Sequence, residues 1–202
     1  MRVIAGSYRS RPLLAPAGMD TRPTADRLRE TLFNVLTNGV VDRIAGGVFL
    51  DLYAGSGAVG IEAISRGASR VVFVEQGTPA LAILQKNLSN LGIRGPAVQI
   101  EKKSTARYLR GALTTARKQE VRVVFLDPPY EDAAEYTQTL GLLGDGCAEL
   151  LAPDALVIAE HRKKSPLAEN YGRLERTRVL NQGDAGLSFY SLREEAKFSE
   201  ES

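Results

Sequence analysis

The residues best suited to chemistry are four in a row, Asp127-Pro128-Pro129-Tyr130, at the end of the apolar run Val121-Arg122-Val123-Val124-Phe125-Leu126. A short run of β-branched and aromatic residues reads as a strand buried on both faces of a sheet. Two successive prolines cannot donate to a ladder and each fixes φ, so the strand must stop there and the backbone must turn stiffly. A carboxylate, a rigid corner and an aromatic ring are thereby set at the carboxyl edge of a central strand, where ligands bind in open α/β sheets. An Asp-Pro pair alone is an ordinary strand-ending turn. The full tetrapeptide directly after a buried strand is read as a site.

A second constellation lies upstream. Gly55-x-Gly57-x-x-Gly60 follows one strand, Val48 to Leu52, and opens a helix, while Glu75 ends the next strand, Val71 to Val74. Many glycine-rich turns match this spacing by chance. A nucleoside can lie on a backbone only where no Cβ stands in the way, and a carboxylate one strand over can accept both ribose hydroxyls. NAD would use the same arrangement, with its pyrophosphate on the helix N-terminus. Asp51, just before the loop, would repel a pyrophosphate and suits the methionine ammonium of S-adenosylmethionine better. Ser104, after the third strand, stands where an adenine contact is expected.

These residues need a scaffold. Leu28, Leu32, Val35 and Leu36 recur at helical spacing after a Thr24 or Asp26 cap, which leaves Arg22, Arg27, Arg29 and Glu30 on a charged outer face. The spacing predicts further helices to about Ser65, over Pro79 to Leu91, over Ala106 to Lys118 and over Ala133 to Leu143. Between them fall strands at 98–100, 121–126 and 156–159. Strands alternating with helices at short spacing imply βαβ units and a parallel sheet covered on both faces. After residue 170 the pattern becomes polar–apolar alternation around Asn181-Gln182-Gly183-Asp184-Ala185-Gly186, which predicts a hairpin and an antiparallel final strand.

Composition narrows the classes. The chain has 202 residues, 44% hydrophobic and 25% charged, enough for one domain with a real core. A net charge of +2 says little, but residues 1–19 carry Arg2, Arg9 and Arg11 and no acid, a basic lip suited to a polyanion or to a solvated surface. Residues 194–202 form an acidic tail expected to be disordered. With Cys147 and His161 the only residues of their kinds, a transition-metal site or a Ser-His-Asp machine is not expected, nor any internal disulfide. No apolar run spans a membrane and the first residues do not read as a secretory signal, so a cytoplasmic protein is expected.

Taken together, Asp51-Leu52-Tyr53-Ala54-Gly55-Ser56-Gly57, Glu75 and Asp127-Pro128-Pro129-Tyr130 resemble Rossmann-like amino-methyltransferases. The front end, Met1-Arg2-Val3-Ile4-Ala5-Gly6, Arg9-Ser10-Arg11, Arg22-Pro23-Thr24-Ala25-Asp26-Arg27 and Glu30-Thr31-Leu32-Phe33-Asn34, resembles the RsmD family, which methylates a guanine N2 in bacterial 16S ribosomal RNA. The resemblance runs from Met1 to about Arg193. It departs at Ser104, where Asn or Asp is usual, and at Ser10, where glycine is usual.

The resemblance implies an α/β, Rossmann-like methyltransferase fold. Its sheet would have seven strands, mostly parallel with an antiparallel last strand. Residues 1–22 would form a basic hairpin extension and 23–193 the catalytic domain. It implies catalysis by Asp127, Pro128, Pro129 and Tyr130. S-adenosylmethionine would be held by Asp51, Tyr53, Ala54, Gly55, Ser56, Gly57, Glu75, Ser104, Thr24 and Asp127. Ribosomal RNA, free or in a small-subunit assembly particle, would be contacted by Arg9, Arg11, Arg22 and Arg27. No metal is called for, and a monomer is expected. Three rival readings remain at this point: an adenine-N6 methyltransferase acting on DNA, an NAD-dependent oxidoreductase, and a non-catalytic RNA-binding module.

Overall fold

Side-chain alternation along each core strand divides the interior in two. In β1 (Val48–Asp51), Phe49 packs on one face of the sheet and Leu50 on the other. β2 (Arg70–Val74) sends Val71 and Phe73 to the first face and Val72 and Val74 to the second. β4 (Val121–Leu126) separates Val123 and Phe125 from Val124 and Leu126 in the same way. Both faces are apolar, so both must be covered. α1 (Pro23–Thr37), α2 (Ala58–Ser65) and α3 (Thr78–Asn90) cover the first. α4 (Thr105–Thr115) and α5 (Ala133–Gly144) cover the second.

The computed structural model describes residues 1–15, 23–39, 41–115, 120–129 and 133–193, with 23–25 and 113–115 described by backbone alone. Tyr130, Arg22, the side chain of Thr24, the expected continuation of α4 to Lys118 and the acidic tail lie outside the described residues. Among the described residues no helix is long and apolar enough to cross a membrane.

With β3 (Val98–Glu101), β5 (Leu151–Arg162), β6 (Asn170–Tyr171), β7 (Leu174–Gln182) and β8 (Ala185–Leu192), the strands form one sheet in the order β3-β2-β1-β4-β5-β8-β7-β6. The first five are parallel, and β8 runs antiparallel between β5 and β7. Strand order reverses between β1 and β4, which opens a crevice at their carboxyl ends. Asp51 is paired with Phe125 across that switch point, so Asp51 and Asp127 flank the crevice.

Among the described residues the sheet has eight strands rather than the expected seven. The extra one, β6, is two residues long and pairs with β7 around a turn at Gly172, whose φ is +56°. Two residues carry no readable period. β5 is also longer than residues 156–159, because Pro153 interrupts its apolar pattern and the register against β4 slips there.

α1 starts at Pro23, so Thr24 and Asp26 lie inside it rather than capping it; proline suits a first helical position because its missing N–H has no partner to lose. Arg29 is buried, not on a solvated face. It donates to Asp26 at 3.0 Å and to the Arg2 carbonyl at 2.6 Å, and its Nε lies 4.0 Å from the buried Glu62 carboxylate.

Residues 1–15 double back through a single antiparallel bridge between Arg2 and Pro12 and do not form the expected hairpin of paired strands. Pro12 has no N–H to extend a ladder. The segment is fixed instead to α2. The Glu62 carboxylate accepts from the amides of Ile4 at 2.7 Å and Ala5 at 3.0 Å, and the Ser65 hydroxyl accepts from Tyr8 N–H at 2.9 Å. A Cβ on Gly6 would fall 1.8 Å from the Ser65 carbonyl, so only glycine allows this approach.

Ser10 occupies φ +65°, the one non-glycine residue at positive φ among those described, at the position where the family resemblance anticipates glycine. Ser10→Gly should therefore raise stability by about 1 kcal/mol, the cost a Cβ meets in the left-handed region. A denaturant midpoint that falls on this substitution would contradict that account.

Candidate active site

A cavity of about 650 Å³ opens at the β1/β4 switch point. Its walls come from the turn after β1, the ends of β2 and β4, the start of α4 and Glu135 of α5. Asp51, Tyr53, Ala54, Gly55, Ser56, Glu75, Ser104, Asp127, Pro128 and Pro129 all line it, so most of the residues singled out in the sequence converge on one space.

The turn between β1 and α2 is held by backbone bonds from Ala54 N–H to Val74 O at 3.0 Å and from Gly57 N–H to Ala54 O at 2.7 Å. Its glycines have different reasons. Gly57 does not line the cavity. It sits at φ +81°, and a Cβ there would meet Leu84 at 2.3 Å. Gly60 lets α2 lie on the sheet, since a Cβ would meet Phe73 at 2.3 Å. At Gly55, φ +54°, a Cβ would find only the Tyr53 carbonyl, at 4.0 Å. Of the three, Gly55 is the one that leaves its side of the backbone open.

Glu75 does more than face the cavity. Its two carboxylate oxygens accept from Gly55 N–H at 2.9 Å and Gly77 N–H at 2.6 Å, tying the glycine turn to the entry of α3. Each oxygen retains a lone pair. Ser104 precedes α4 as its cap, its hydroxyl lying 3.4 Å from Arg107 N–H, and so doubles as a helix terminator and a cavity wall. The Tyr53 hydroxyl bonds Glu135 at 2.9 Å and Thr139 at 2.7 Å, which pins its ring against α5. Burial pushes the Tyr53 phenol up, so it stays neutral.

The carboxylates set the electrostatics. Asp51 is fully buried and accepts from Gly60 N–H at 3.0 Å. Burial pushes its pKa up to about 7, the Gly60 amide opposing and the Glu75 charge adding to the rise. Asp127 is half-buried at the mouth, and burial, then the Glu160 and Asp51 charges, hold its carboxyl well above the usual range. Among the described residues the walls carry four acids, Asp51, Glu75, Asp127 and Glu135, against one base, Lys103, which already pairs with Glu101 at 2.6 Å. Such a cavity favours a cationic ligand and disfavours a pyrophosphate.

At the corner, Pro128 is buried and Pro129 exposed. The Tyr136 hydroxyl donates to the Glu160 carbonyl at 2.8 Å and is 3.5 Å from the Pro128 carbonyl, too long to occupy it. Sequence reasoning missed Tyr136, Glu135 and Thr105, whose hydroxyl holds the Leu52 carbonyl at 2.7 Å. Nothing in their spacing separates them from ordinary helix residues.

The expected basic lip is split. Arg9 and Arg27, both exposed, line a separate cleft of about 760 Å³ with Arg2, Ser10, Asp26 and Glu30. Arg11 is exposed elsewhere, its guanidinium 3.2 Å from the Asn90 carbonyl at the end of α3. His161 is a satisfied core residue between the Arg162 carbonyl and the Ser188 hydroxyl, both at 2.9 Å. Cys147 is buried, with its thiol pushed up by that burial.

A family model described as Conserved hypothetical protein 95 matches residues 1–191. The Putative rRNA methyltransferase YlbH of Bacillus subtilis is 37% identical over 193 residues, covering 96% of this chain and all of that one. The Ribosomal RNA small subunit methyltransferase D of Haemophilus influenzae is 34% identical, covering 95% of this chain and 92% of its own. A solved structure, the Putative methyltransferase yhhF from Escherichia coli, superposes with a TM-score of 0.78 at 30% identity, over 96% of this chain and 99% of that one. With a switch-point cavity, a two-proline corner and a match from Met1 to Ser191, the chain belongs to the RsmD family.

Proposed function

We propose that the protein transfers a methyl group from S-adenosylmethionine to the exocyclic N2 amine of a guanine in small-subunit ribosomal RNA. One observation carries the reading: a buried acid at the glycine turn and a raised acid at the Asp-Pro-Pro corner face one cavity whose wall carboxylates outnumber its bases. The cofactor carries an ammonium and a sulfonium against one carboxylate at its methionine end, a net positive charge, and fits such a lining. NAD would set its pyrophosphate against Asp51. The relatives' names point to ribosomal RNA as the substrate class.

When bound, S-adenosylmethionine supplies an electrophilic methyl whose bond pair returns to sulfur. The chain's own residues do the rest. Glu75 would accept from the ribose hydroxyls with its remaining lone pairs, and Asp51 would face the ammonium. A guanine amine is a poor nucleophile because its lone pair is delocalised into the ring. Hydrogen bonds from its two N–H groups to the Asp127 carboxylate and the Pro128 carbonyl favour a pyramidal nitrogen with a localised pair. The prolines hold both acceptors stiffly, which is electrostatic preorganisation. The carboxylate can then take the proton that the methylated nitrogen sheds. Tyr130 follows directly and is proposed to stack on the extruded base, a contact worth ~1–3 kcal/mol.

Asp127→Ala should lower methyl transfer by about 10²–10³-fold while cofactor binding persists; a variant with normal turnover would remove Asp127 from the mechanism. Transfer assayed side by side on small-subunit RNA and duplex DNA tests the substrate, and methylation of DNA alone would favour the adenine-amine alternative. Binding without any turnover would leave only an RNA-binding module.

Charge coupling adds a pH dependence. Below about pH 7 Asp51 holds a proton, and a cation beside it favours the ionised form. Cofactor affinity should therefore fall by up to about tenfold per pH unit below pH 7, with proton release on binding. Calorimetry in two buffers of different ionisation enthalpy checks this; a constant affinity from pH 6 to 8 with no buffer effect would refute it. On the RNA side, replacing Arg9 and Arg11 together by Ala should weaken binding and reduce the salt slope by roughly 1.5. An unchanged slope would separate these arginines from the RNA.

A further inference from the structure

Asn87 of α3 is buried, 1% exposed, and belongs to none of the motifs above. Its amide uses both donors and an acceptor. Nδ2 donates to the Ser56 carbonyl at 2.9 Å and to the Leu14 carbonyl at 3.1 Å, while Oδ1 accepts from Leu14 N–H at 2.8 Å. Ser56 lines the cavity on the glycine turn. Leu14 closes the N-terminal segment that carries Arg9 and Arg11 and is otherwise anchored on α2. The two-way bond to Leu14 reproduces what a neighbouring strand would offer, so one side chain stands in for a missing ladder rung. The remaining hydrogen reaches across to the cofactor turn.

We infer that Asn87 is a positioning residue that holds the proposed RNA-contacting segment and the proposed cofactor turn in one register, so that occupancy of either site favours the other. The inference rests on the function proposed above. The physical reason is that three satisfied bonds share one rigid amide plane. A shift of Ser56 strains the bonds to Leu14, and a loosened N-terminal segment releases the turn. Coupling of this kind is reciprocal: cofactor must tighten RNA by the same factor as RNA tightens cofactor.

The test uses the full-length protein with S-adenosylhomocysteine and a small-subunit RNA fragment. RNA affinity is measured with and without S-adenosylhomocysteine, and S-adenosylhomocysteine affinity with and without RNA. Wild type should show the same factor in both directions, about fivefold or more. Asn87→Ala should reduce it to one, and should raise the KM for RNA more than it lowers kcat. Asn87→Leu, close in size and placing no charge against the Ser56 and Leu14 carbonyls, should also lose the coupling and serves as the second variant if the alanine variant unfolds. An unchanged factor in a folded Asn87 variant, or a factor of one in wild type, overturns the inference. If wild type instead binds neither S-adenosylhomocysteine nor RNA, it is the proposed function that fails.

Discussion

One buried carboxylate joins the sheet, the first crossover helix and the cavity. Asp51 ends β1, and its oxygen meets the Gly60 amide in the first turn of α2. That helix begins after Gly57, whose position gives no side-chain cap, so an acid from the strand satisfies the exposed amide instead. The amide draws Asp51 toward ionisation, while burial and Glu75 oppose it, and burial prevails. Asp127, one strand away, meets the same opposition. Ionising both acids therefore concentrates unfavourable negative charge in one cavity, which a cation entering it would relieve. Fold and ligand preference share a cause: the turn that closes the βα unit puts an acid at the cavity wall where little water can solvate it.

The sheet's double-sided core explains why the fold was legible. Runs such as Val71 to Val74 and Val121 to Leu126 are apolar at every position only because they alternate between two covered faces. The site was legible where chemistry coincides with backbone punctuation, at Gly55, Asp127 and Pro128. It was not where an ordinary side chain is recruited from a distant helix. Glu135, Tyr136 and Thr139 occupy one α5 surface without any sequence mark of their role. Arg29 was misread because charge on an amphipathic helix normally faces water; here Asp26, the Arg2 carbonyl and nearby Glu62 replace that water.

The same substitution of protein for solvent keeps the N-terminal segment in place. Glu62 is completely buried yet accepts two backbone amides and the Arg66 guanidinium at 2.8 Å, so its charge is distributed rather than stranded. Arg66 in turn lies 5.0 Å over the Phe33 ring, which stacks on Phe49 of β1. A polar anchor and an aromatic stack thus connect α1, α2 and the central strand. The basic residues at the surface are held by a rigid interior, not by a free arm.

β8 follows β7 in the chain yet occupies the slot between β5 and β7. During translation, residues 151–162 emerge long before the strand that must pair with their outer edge. Until residue 192 has left the exit tunnel, β5 presents an unsatisfied row of amides and carbonyls, with Val157 and Ile158 beside it. A nascent chain of this topology has a built-in interval in which its central sheet is open to wrong partners, and that interval closes only when residues 185–192 have followed.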